Sequence, residues 1–95
     1  MLRFKRHLEE IRIAMEHVPS EWKFDDLFDA MDLGCGQLLL DFNMHIRRLP
    51  KGSIVVLATR DIASPMEIPA WCRLTKHKLI ARAHPYYLIE KNGTC

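Results

Sequence analysis

Cys35 stands in the run Asp29-Ala-Met-Asp-Leu-Gly-Cys-Gly-Gln-Leu38, where a short strand is expected to hand over to an apolar helix. A thiol at a helix start meets aligned peptide dipoles and unpaired N–H groups. Both favour negative charge, so the position lowers a thiol pKa and populates the nucleophilic thiolate. The same residue also fits a second role, that of a small buried apolar side chain. Arg60, expected just beyond a later strand, would add positive charge beside the thiol; Asp61 would oppose it or pair with Arg60. The other cysteines, Cys72 and Cys95, form neither an even-numbered disulfide framework nor a Cys-x-x-Cys pair with Cys35. That usage suits a reducing cytoplasm. The five histidines show no His-x-x-x-His spacing, so no metal site is expected. Cys35 has no identifiable His and carboxylate partners in the sequence, so a hydrolase is unsupported.

The elements that must position Cys35 follow from apolar spacing. Phe4, Leu8, Ile11, Met15 and Val18 recur every three or four residues among charges, predicting an N-terminal amphipathic helix. Pro19-Ser-Glu21 ends it, and Trp22 and Phe24 are expected to pin the connection to the core. A strand is expected over 27–33. A helix then follows, buried through Leu39, Phe42, Ile46 and Leu49, with Arg47 and Arg48 at the negative end of its dipole and Pro50-Lys-Gly52 as its stop. Residues 53–59 read Ser-Ile-Val-Val-Leu-Ala-Thr, apolar on both alternating faces and therefore a central strand covered on both sides.

Ser64-Pro-Met-Glu67 has capping-box spacing, with Pro65 suited to the first helical position and Pro69 awkward inside the helix. Ile68, Trp71, Cys72 and Thr75 should face the core. Strands over 79–83 and 86–90 complete the order α, β, α, β, α, β, β. A right-handed crossover makes the first two strands parallel, which brings Cys35, Arg60 and the helix start at Ser64 to one rim of the sheet.

Ninety-five residues, 48% of them hydrophobic and 27% charged, make one small domain with a single core. A formal charge of +2 falls short of the concentrated field of a dedicated nucleic-acid binder. No apolar run reaches the roughly 18 residues of a membrane span. The basic start, Met-Leu-Arg-Phe-Lys-Arg, runs quickly into Glu9 and Glu10 without an apolar signal core and reads as mature structure.

From about Leu27 to Lys91 the chain resembles the TusA-like, or SirA-like, sulfur-carrier proteins. Their Asp-Ala-x-Gly-Leu-x-Cys-Pro-x-Pro block is matched without a gap by Asp29 to Leu38, and their Asp-Ile-Pro-Gly-Phe-Cys type of segment by Glu67-Ile-Pro-Ala-Trp-Cys72. The closing Tyr87-Leu-Ile-Glu-Lys91 is also similar. The resemblance implies an α/β (α+β) fold: a βαβαββ two-layer sandwich with a mixed four-stranded sheet. Residues 27–95 would form this domain, and residues 1–26 an added helix and connection covering the sheet face opposite the other two helices. It also implies that Cys35 carries sulfane sulfur as a persulfide between a donor protein, such as a cysteine desulfurase, and an acceptor protein. Arg60, Asp61 and Gly36 would act in support, with no cofactor. Gly36 and Leu38 stand where the family has prolines and Asp32 where it has glycine; Gly36 leaves the backbone beside the thiol more conformational freedom than proline would.

Two other functions compete. One is a non-catalytic interaction or regulatory protein of the same fold with Cys35 as packing. The other is RNA binding through Arg47, Arg48, Lys51, Lys76, His77 and Lys78 with Tyr86 and Tyr87 as stacking surfaces; helix-end charges and strand tyrosines more often serve the fold, so no direct nucleic-acid contact is expected.

Overall fold

The computed structural model describes residues 18–93, and of Cys35 the backbone alone. The elements run β1 (Asp26–Asp29), α1 (Cys35–Arg47), β2 (Ile54–Ala58), α2 (Ser64–Thr75), β3 (Lys78–Ala83) and β4 (Tyr86–Glu90). The sheet order is β1-β2-β4-β3. β1 lies parallel to β2, whereas β4 is antiparallel to both β2 and β3. This is the expected βαβαββ sandwich with a mixed sheet. The N-terminal helix expected over 4–18 lies, Val18 excepted, outside the described residues.

Helical spacing decides the main core. Leu38, Phe42 and Ile46 recur every four residues along α1 and are fully buried; Leu39 and Leu49 sit only partly buried at its margin. Along α2, Ile68, Trp71, Cys72 and Thr75 are all buried, as their spacing predicts. Both helices pack on the sheet face that presents Val55, Leu57, Tyr87 and Ile89. Each large apolar side chain so buried contributes roughly 1.5–3 kcal/mol. Phe42 ties the layers together, with ring centroids 5.4 Å from Phe28 and 5.3 Å from Trp71.

β2 is covered on both faces, as its unbroken apolar run requires. On the face away from the helices, Val56, Ala58, Tyr86 and Leu88 are buried, and Val18, Trp22 and Phe24 pack against them. The connection before β1 therefore belongs to the fold.

Three local expectations are corrected. β1 ends at Asp29 instead of running to Leu33, because the Asp29 carboxylate accepts the Met31 N–H at 2.9 Å and Met31 turns into the left-handed region at φ 54°. This is an Asx-type turn, in which the side chain replaces the next strand bond. Ser64 is not a cap: Ala63 holds that position, Glu67 N–H bonds the Ala63 carbonyl at 2.9 Å, and the buried Ser64 hydroxyl instead meets Thr59 Oγ1 at 3.1 Å. Pro65 is consequently the second helical residue, not the first. Pro69 does lie inside α2. Having no N–H, it leaves the carbonyl of Pro65, four residues back, without its helical donor. Arg82 on β3 supplies one, its guanidinium donating to the Pro65 carbonyl at 3.2 Å.

Candidate active site at the start of helix α1

The parallel pairing of β1 and β2 sets Asp29 level with Ala58, and Ala30 N–H still bonds the Ala58 carbonyl at 2.8 Å. The two chains therefore leave the sheet on the same rim. After the turn at Met31, Leu33 N–H bonds the Ala30 carbonyl at 3.1 Å, and Gly34 caps α1 in an extended conformation at φ −69°, ψ 160°. Cys35 is the first helical residue.

The electrostatics of that end are simple. The first helical hydrogen bond runs from Leu38 N–H to the Gly34 carbonyl at 2.8 Å, so the amides before Leu38 have no acceptor within the helix. Among the described residues no side chain caps them, and no acidic residue lies in the first turn. The start of α2, by contrast, carries Glu67 in its first turn. Of the two helix ends on this rim, that of α1 alone has no acidic residue in its first turn, a finer distinction than the sequence suggested.

Arg60 reaches this rim but pairs with Asp32, Nη1 to Oδ1 at 3.8 Å, rather than with Asp61. Both side chains of that pair are largely exposed, so the contact is loose and contributes little to stability. Asp61 turns inward: its N–H donates to Thr59 Oγ1 at 3.1 Å, its carbonyl accepts from Ser64, and its Oδ2 is buried without a hydrogen-bond partner among the described residues. Gly36 is exposed, and a side chain built on it would meet nothing within 4 Å.

Sequence reasoning overlooked the apolar side chains of the rim. Met31, Ile62 and Met66 are all exposed there. Their spacing fits no helix or strand period, so nothing in the sequence drew attention to them.

The remaining candidates are structural. Cys72 is buried, and burial pushes its thiol up to about 12 from an ordinary 9.0, with Arg73 opposing. His45 pairs with Asp26 at 2.5 Å, His77 Nδ1 accepts the N–H groups of Asn92 and Gly93, and His84 meets the Tyr87 hydroxyl at 2.6 Å. Tyr86 and Tyr87 are buried, which removes the stacking surface considered for RNA. Among the described residues no group of three or more His, Cys, Asp or Glu could hold a metal ion, and no helix is long and apolar enough to cross a membrane.

No family model matches the chain. It is similar to the sulfur carrier protein TusA of Pseudomonas fluorescens (strain SBW25), with 33% identity over 83 aligned residues that cover 83% of this chain and 99% of that relative.

Proposed function

This chain belongs to the TusA-like family of sulfur-carrier proteins, and from that membership we propose that it relays sulfane sulfur as a persulfide on Cys35 between protein thiols in the cytoplasm. The observation that carries the assignment to Cys35 is its place at the first position of α1, whose leading amides have no acceptor within the helix and whose first turn holds no acidic residue. Thiolate is the attacking species in sulfur exchange, and a thiol whose pKa lies near ambient pH balances ionised fraction against nucleophilicity. Cys72 lacks that advantage, being buried with a raised pKa.

The relay is balanced without an oxidant or a cofactor. The Cys35 thiolate attacks the outer sulfur of a donor persulfide, a new S–S bond forms at Cys35, the donor's S–S bond breaks, and the donor thiolate departs. One proton and one negative charge are shared by the pair before and after. Discharge to an acceptor repeats the step with the roles exchanged. Arg60 and the amides of the α1 start offset the negative charge spread over the three sulfurs during transfer.

Incubation with a cysteine desulfurase and cysteine tests the reading. The protein should gain the mass of single sulfur atoms, mapped by peptide to Cys35. Cys35→Ser should abolish the gain, while Cys72→Ser and Cys95→Ser should leave it. Sulfur on Cys95 alone, or on none of the three with the fold intact, would leave an interaction protein of the same fold as the better reading. Leu38 supports that second reading: where the family has a motif proline, this chain has a fully buried core leucine, so part of the motif serves packing.

A further inference from the structure

We propose that the outer flank of α1, away from the Cys35 rim, pairs antiparallel with the same flank of a second copy of this chain, forming a homodimer. Asp41, Met44, His45 and Arg48 stand at positions i, i+3, i+4 and i+7 and so share one face of α1 and its C-cap. With Phe28 of β1 they line an open cleft of about 250 Å³. The cleft has a firm wall, because Asp26 holds the His45 ring at 2.5 Å and the Phe28 ring lies against it with centroids 5.0 Å apart. β1 is an edge strand, so among the described residues no further strand closes that side. Met44 is 51% exposed and Leu40, one turn before it, 57%. These are apolar side chains at helical spacing that contribute little to the core.

Charge identifies a second copy as the occupant. A two-fold axis sets residue i of one copy against residue j of the other and j against i, so a self-complementary face must carry opposite charges on either side of its centre. Asp41 and Arg48 do so, with Met44 and His45 between them. Antiparallel pairing about a point between Met44 and His45 opposes Asp41 of each copy to Arg48 of the other and brings the two Met44 side chains together, where their adaptable thioethers can fill the clefts. A parallel pair would oppose acid to acid and base to base. Neither charge is held in an ion pair within the chain: Asp41 accepts the Gln37 amide at 2.7 Å through one oxygen, and among the described residues no carboxylate is paired with Arg48. The two charges cancel, so the face has no net sign to attract a nucleic acid or an acidic protein. Cys35 opens α1, and antiparallel pairing therefore puts the two copies of it at opposite ends, roughly 28 Å apart along the axis at 1.5 Å per residue. No disulfide can join them across this interface.

One face of a 13-residue helix is smaller than the roughly 800 Å² per partner of a standard interface, so the association is weak and reversible. Sedimentation velocity of the full chain under reductant, up to about 0.5 mM, reads dissociation constants in that range. Wild type should pass from monomer to dimer as concentration rises, and less readily at high salt. Asp41→Arg opposes base to base and Arg48→Glu opposes acid to acid, so each variant alone should associate at least tenfold more weakly than wild type. Mixing the two single variants should restore association as a heterodimer, because one face is then wholly basic and the other wholly acidic. Recovery in the mixture also shows that both variants are folded. Wild type that stays monomeric throughout, as it would if the chain's own first residues covered this face, would overturn the pairing. So would single variants that dimerise as wild type does, a mixture that recovers nothing, or dimers that form only without reductant.

Discussion

Cys72 and Cys35 differ in their place in the fold, Cys35 opening α1 and Cys72 lying inside α2. Cys72 is buried on the core face of α2 and its thiol is pushed up to about 12. Native Cys72 should resist alkylation at neutral pH, whereas Cys35 should label with a midpoint below that of an unperturbed thiol. Alkylation rates against pH, mapped by peptide, check both; a Cys35 midpoint at or above the free value would show that Asp32 outweighs the helix end. Cys72 also links stability to pH. Above pH 9 the unfolded chain releases this proton while the folded chain keeps it, so the unfolded state binds fewer protons and stability falls as pH rises toward about 12. Denaturation of Cys72→Val should show a shallower alkaline decline. The burial of Cys72 was legible because Ile68, Trp71, Cys72 and Thr75 share one helical face. The true partner of Ser64 was not, because Thr59 lies across a turn whose geometry the capping-box spacing does not encode.

Among the elements, the first turn of α1 separates the two lost motif prolines. The Gly36 N–H precedes the first helical bond and a side chain there meets open space, so proline costs no hydrogen bond or contact at this position. Pro65 shows that the second position of a helix in this protein accepts proline. Gly36→Pro should therefore stabilise the protein by about 0.4–1 kcal/mol, through a less flexible unfolded chain, and speed sulfur loading if backbone freedom beside Cys35 is what slows it. Leu38→Pro should do the opposite. It removes the N–H bonded to Gly34 at 2.8 Å and a fully buried side chain, a loss of about 3 kcal/mol or more. Thermal melts of the two single variants separate these outcomes. At α2 the sequence flagged Pro69 as awkward but could not name its remedy, because Arg82 comes from a strand seventeen residues beyond the Pro65 carbonyl it satisfies. Arg82→Met should cost about 1 kcal/mol, with faster amide exchange confined to the first turns of α2.

The whole molecule is closed by the chain leaving β4. Lys91 Nζ donates to the carbonyls of Arg47 and Leu49 at 3.0 and 2.6 Å, placing a cation on the negative end of α1. Arg47 lies in the last turn of α1, as its position in sequence suggested, and Lys91 adds a second cation there from more than forty positions away. Asn92 and Gly93 then donate their N–H groups to Nδ1 of His77, whose ring lies beyond the end of α2, tilted against Trp71 with centroids 5.3 Å apart. His77 looked like one member of a basic turn, Lys76-His77-Lys78; its partners lie fifteen and sixteen residues downstream, outside the reach of local pattern. One short segment thus fastens both helices to the sheet, and Gly93 is where it passes closest. A Cβ there would lie 1.9 Å from the Thr75 carbonyl oxygen and 3.3 Å from the His77 ring. The obstruction is backbone and cannot swing aside, so Gly93→Ala must lift the segment off α2 and weaken both N–H bonds to His77. The expected loss is about 1–3 kcal/mol, or at least several degrees of melting temperature at this chain length. Sulfur loading of the still-folded fraction should be unchanged, since the rim carrying Cys35 lies at the other end of the strands. An unaltered melting temperature would show that the segment does not hold the helices down.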